Sequence, residues 1–157
     1  MSALMIFDRV PVGSTICWTD GKPRPPENHI RALAGWKRDN AEGRLVRKRS
    51  HSVMGQSLVP ASFKVATDGI DDLGAVIGPD FRTFPVDSTF HFMIVDRPAV
   101  GSFRIFDGAG ADAELLHLAS SREHADVWVK NCGFAVTTIV EVTADEIAAD
   151  RIEGRAA

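Results

Sequence analysis

Arg24, Arg31, Arg38, Arg44, Arg47, Lys48 and Arg49 are the residues of this chain whose type and spacing most clearly suggest chemistry. They lie in residues 22–52, a segment with nine of the eighteen Lys and Arg residues against Glu27, Asp39 and Glu42. Its local balance is +6 in a chain of net charge −3. Cationic side chains along one surface neutralise phosphates, and aromatic rings beside them give bases a place to stack. Trp18 and Trp36 are near in sequence, although helical spacing turns Trp36 toward a core. The expected role is that of a small non-catalytic binding or adaptor module whose basic segment engages nucleic acid or an acidic protein surface. Three plainer readings compete with it: a solvated basic face, attraction between a basic and an acidic end of the molecule, and cations placed along an edge strand, where they block edge-to-edge pairing.

Other chemistry is thinner. A serine nucleophile would call for a strained GxSxG turn, and Ser57 in Gly55-Gln56-Ser57 lacks the second glycine. Glu114, His117, Glu123 and His124 form the densest group of metal-ligating types, but they straddle a strand-to-helix junction, so no single spacing unites them and no metal site is expected. Asp107-Gly108-Ala109-Gly110 lacks both the lysine of a P-loop and the third glycine of a dinucleotide fingerprint, and reads as a turn. No cofactor is expected. Cys17 and Cys132 have no CxxC spacing and read as two small buried side chains. The alternative function is an enzyme or small-ligand-binding protein with a pocket beside the phenylalanine-rich strands, lined by His91, Arg104 and His117. His91, between Phe90 and Phe92, reads first as a hydrogen-bonded core histidine.

These residues need elements to hold them. Residues 89–96 are apolar on both faces, which predicts a strand buried on both sides at the centre of the fold. The turn at 97–101 and the alternation in 102–107 predict a hairpin partner for it, and 114–119 a third strand. Ser120 stands three residues before Glu123, the spacing of a capping box, so a helix starts at about Ser121 and stops at Asn131-Cys132-Gly133. A strand over 134–142 returns. Earlier in the chain, 14–19 alternates as a strand, and a helix over 26–40 follows Lys22-Pro23-Arg24-Pro25-Pro26, with His29, Ile30, Leu33 and Trp36 on one side and Arg31 and Arg38 opposite. Residues 44–53 look extended without a clean face, as an edge strand would. Residues 62–67 form a short strand, 68–84 read as an irregular loop, and the stretch 68–79 as mobile. Thr143 and Glu146 repeat the capping spacing before an apolar stripe of Ile147, Ala148 and Ile152, which predicts a short terminal helix.

The expected class is α+β, a mostly antiparallel sheet packed against two or three helices. The 157 residues, 45% apolar, fit one domain, with possible sub-lobes at 1–67 (basic β-α-β) and 85–157 (β-hairpin and β-α-β core). The stable core is expected in 89–142. No run approaches the roughly eighteen apolar residues of a membrane span, and residues 1–7 lack the basic start and long apolar centre of a secretory signal. The expected compartment is cytoplasmic, with no membrane partner.

Overall fold

Ser2 opens a short helix at the start of the chain. Its Oγ accepts a hydrogen bond from the Met5 N–H at 3.3 Å, the role of an N-cap, and α1 (Ala3–Arg9) follows. Ala3, Ile6 and Val10 are spaced three and four residues apart and are fully buried, so one stripe of this short helix docks on the sheet. In the computed structural model, which describes residues 1–70, 76–134, 137–146 and 148, the order continues as β1 (Thr15–Thr19), α2 (Ile30–Asp39), β2 (Ala41–Arg49), β3 (Ser52–Met54), β4 (Ser57–Val59), β5 (Ser62–Ile70), β6 (Val76–Pro85), β7 (His91–Asp96), β8 (Phe103–Asp107), β9 (Glu114–Ala119), α3 (Arg122–Asn131) and β10 (Thr137–Glu141). A short helical turn covers 144–146.

Every strand pairing among the described residues is antiparallel. A five-stranded sheet runs β6-β5-β2-β1-β7, a three-stranded sheet runs β10-β8-β9, and β3-β4 is a small separate hairpin. The fold is mixed and mostly sheet, with few helices, compatible with the α+β class. Among the described residues no helix is long and apolar enough to cross a membrane.

The core lies on one face of the five-stranded sheet. Ile16, Trp18, Leu45, Phe63, Val65, Phe84 and Phe92 pack there with Ala3 and Ile6 of α1 and Val10 just after it. Phe63, Phe84, Phe90, Phe92 and Trp18 meet in a chain of ring contacts with centroids 5.1–5.6 Å apart, a separation that favours tilted and edge-to-face pairs. The three-stranded sheet has a smaller cluster in which Ile105, Ala119 and Ala125 are buried, with Phe103, Trp128, Val129 and Ile139 around them.

This arrangement overturns the expected centre of the fold. β7 ends the large sheet, and of its apolar residues Phe92 is buried while Met93 and Val95 remain 65% and 52% exposed. His91 is exposed rather than a core residue. The predicted hairpin of 89–107 does not form either, because β7 pairs with β1 and β8 joins the small sheet. The β1 pairing sets Trp18 opposite Phe92 and Ile16 opposite Ile94, large apolar pairs that strengthen an antiparallel ladder. The core therefore centres on β1, β2, β5 and β6, with 89–142 supplying Phe92 and its neighbours.

Three further expectations change. Residues 44–49 of the tract 44–53 are not an edge: they belong to β2, the middle strand, bonded to β1 and β5, while 52–53 start the separate β3-β4 hairpin. Much of the supposed loop 68–84 is the paired ends of β5 and β6, with a register shift at Gly69/Ile70 and a positive φ of 107° at Gly78. Residues 71–75, in the stretch read as mobile, lie outside the described residues, as do 135–136 of the predicted strand and most of the predicted terminal helix. The cap of α3 is Ser121, whose Oγ accepts from the His124 N–H at 3.2 Å, while Ser120 bonds the His124 ring. The strand at 114–119, the stop at Gly133 and the presence of α2 agree with the sequence reading, although Ile30 on α2 is 77% exposed and Leu33 alone is buried there.

Candidate anion-binding site

Simple alternation along β2 would put Arg44 on one face and Arg47 and Arg49 on the other. A bulge prevents this. The register with β5 shifts between Leu45 and Arg47, so Leu45 and Val46 are both buried and the strand gains one residue relative to its neighbour. Arg44 then lies opposite Ala66, Arg47 opposite Lys64 and Arg49 opposite Ser62. These partners alternate along β5, so the three arginines share the face turned away from the aromatic core. Lys48, opposite Phe63, falls on the core side, with its Nζ 5.9 Å from the Phe7 ring centroid. Just before the bulge, Gly43 lets β5 come close: a Cβ there would sit 2.6 Å from the Ala66 carbonyl oxygen.

Arg47 directly across from Lys64 is a like-charge pair, which weakens a ladder unless an anion intervenes. Glu114, the first residue of β9, is that anion. Both of its carboxylate oxygens accept from Lys64 Nζ at 2.9 Å, and one lies 3.8 Å from Arg47 Nη1. The small sheet thus delivers one carboxylate to the cationic face of the large sheet. Lys64 is also held from the side, with Nζ 4.1 Å from the centroid of Phe81, a cation–π contact. Arg47 Nε is buried with no hydrogen-bond partner among the described residues. Among the described residues Arg49 has no ion-pair partner.

Arg47, Arg49, Lys64, Ser62 and Thr83 line a recess of about 240 Å³. Three cations and two hydroxyls converge there, a donor set suited to an oxygen-rich anion. Arg44 lines a second recess of about 310 Å³ between the sheets, with Asp96, Arg97, Thr15, Ser102 and Ser120 among its neighbours. His117 of β9 stacks on Trp128, with centroids 5.0 Å apart and rings parallel within 1°. Burial first, and the Arg44 charge second, hold its imidazole below the usual histidine pKa.

The remaining basic residues of the segment go elsewhere. Arg24 pairs with Glu27 and lies over Trp36, Arg31 is exposed on α2, and Arg38 is 3.9 Å from Asp39. The Arg38 carbonyl accepts from Trp18 Nε1 at 3.0 Å and from Arg82. Trp18 is thereby buried and Trp36 occupied, so neither is a free stacking platform. His91, Arg104 and His117 are not brought together: they lie on β7, β8 and β9, and Arg104 is buried against Glu146. Neither recess has any of the three in its wall. Among the described residues no group of three His, Cys, Asp or Glu side chains could hold a metal ion, and Cys17 and Cys132 are free thiols, each half-buried.

Lys64, Ser62 and Thr83 are the recess residues that sequence reasoning missed, and Glu114 entered it only within a scattered metal-ligating group. Alternation within 62–67 separates Ser62 and Lys64 from Phe63 and Val65, which signals a polar face. Nothing in the sequence says that this face adjoins Arg47 and Arg49.

One family matches residues 1–146, nearly the whole chain. The chain belongs to the family described as Uncharacterised conserved protein UCP036055. Neither the curated proteins nor the solved structures include a match to this family member.

Proposed function

We propose that this chain is a non-catalytic binding module that takes an anionic partner on the cationic face of its five-stranded sheet. The observation that carries the reading is the meeting of Arg47, Arg49 and Lys64 with two hydroxyls around one recess. Of the three cations, Arg49 has no ion-pair partner among the described residues, while Arg47 and Lys64 share the single carboxylate of Glu114. Anionic partners of both extended and compact form fit this charge, but the scatter of Arg24, Arg31 and Arg38 and the occupied indoles favour a compact anionic group over a long nucleic-acid track.

The test compares the native protein with the triple variant R44Q/R47Q/R49Q in binding inorganic tripolyphosphate at low ionic strength. The expected result is a loss of at least about tenfold in affinity in the variant, equivalent to about 1.4 kcal/mol. A parallel titration with a short oligonucleotide reports on extended partners through its salt slope, about 0.7–0.9 for each phosphate neutralised. Equal tripolyphosphate affinity in the two proteins would overturn the reading.

A further inference from the structure

We infer that the recess bounded by Arg47, Arg49, Ser62, Lys64 and Thr83 is a site for the terminal phosphate of a phosphomonoester, an inference that rests on the anion-binding reading above and names its ligand. The charge count points there first. Three cations line the recess, and one carboxylate, Glu114, already answers Lys64 and Arg47. The remaining charge of +2 matches a phosphomonoester dianion, whose second pKa is about 6, better than a phosphodiester, which carries a single charge per phosphate.

Size and donor geometry agree with the charge. The recess, at about 240 Å³, is smaller than the roughly 300–1,000 Å³ clefts that enclose drug-sized ligands, so it takes a group rather than a whole molecule. A terminal phosphate offers three oxygens free of ester bonds, and the walls are lined by two guanidinium groups, an ammonium and two hydroxyls, all donors to such oxygens. Lys64 is held in advance by Glu114 and Phe81, which reduces the ordering cost of binding. Phe81, 46% exposed and touching Lys64, flanks the place where the organic part of the ligand would leave the recess.

The experiment titrates the full chain with glycerol 3-phosphate and, separately, with dimethyl phosphate at constant ionic strength, following backbone amide shifts of Ser62, Lys64 and Thr83 by NMR. The monoester is expected to bind at least about tenfold more tightly than the diester at pH 7.5, because one more unit of charge acts in a partly desolvated site. That advantage should shrink as pH falls through about 6 and the monoester becomes a monoanion. Arg49→Gln and Thr83→Val, both at exposed positions, should each weaken monoester binding at least about threefold while leaving the circular dichroism spectrum unchanged. Equal affinity for the two esters, or an unaltered affinity in both variants, would overturn the inference. A protein that binds tripolyphosphate through its arginines but does not prefer the monoester loses this ligand and keeps the cationic face. One that binds neither tripolyphosphate nor glycerol 3-phosphate loses both.

Discussion

The five-stranded and three-stranded sheets divide the molecule's work unequally. The large sheet buries Ile16, Trp18, Leu45, Phe63, Val65, Phe84 and Phe92 under α1 and leaves its other face to Arg44, Arg47, Arg49 and Lys64. The small sheet buries Ile105, Ala119 and Ala125 with partly covered neighbours and sends one carboxylate and one imidazole toward that cationic face. A sheet with one dry and one charged face can carry stability and binding without conflict, since alternate residues point to opposite sides. The smaller sheet contributes less apolar burial and more electrostatic trimming.

The largest expected difference between the two is in stability. Phe63→Ala removes a fully buried ring from the aromatic chain and should cost about 3–5 kcal/mol in a urea titration. Ile139→Ala, in the partly buried rim of the small sheet, should cost under about 2 kcal/mol. Similar losses at both positions would erase the contrast. Next in size is the cap of α3, the helix that covers the small sheet. Ser121→Ala should cost about 1 kcal/mol, and a cost near zero would mean that the serine hydroxyl contributes nothing to that end of the molecule.

The smallest effect probes the junction. His117 has a folded pKa below its unfolded value, so between the two pKa values the unfolded chain binds more protons. The contribution of this residue to stability is level above about pH 6.5, declines as pH falls through that point, and levels off again below the folded pKa. Arg44→Gln removes the second cause of the depression and leaves the first, burial. The His117 titration followed by NMR should therefore move upward and stay below the free-histidine value. An unmoved titration would show that burial acts alone and would separate the imidazole electrically from the large sheet.

What was legible in the sequence was local. Alternation at Ile16 and Trp18, the strand at 114–119, the helix before Gly133 and the glycine stop itself all follow from rules that act within a few residues. Strand partnership does not. The apolar residues of 89–96 look alike on paper, and only pairing with β1 decides that Phe92 is enclosed while Met93 and Val95 face outward. The bulge after Leu45 reverses the expected grouping of Arg44 with Lys48, and no composition marks it in advance. Glycines and aspartates suggested a loop over 68–84, yet Gly78 sits within a ladder that pairs Phe63 with Phe84 and Lys64 with Thr83. For the proposed site, the sequence pointed to Arg44, Arg47 and Arg49, named Glu114 only within a scattered metal-ligating group, and was silent on Lys64, which reaches the same place from another strand.

The bulge in β2 also bears on how this protein can change over generations. Because Leu45 and Val46 are both enclosed while Arg44, Arg47 and Arg49 share the opposite side, the lineage can alter its cationic residues without disturbing the packing beneath them. Gly43 is the counterweight, since any side chain there would collide with the Ala66 carbonyl. A library randomised at 44, 47 and 49 should consequently yield mostly folded members, whereas one randomised at 43, 45 and 46 should yield few. The central strand is therefore fixed in shape at 43, 45 and 46 while its cationic positions stay open to change.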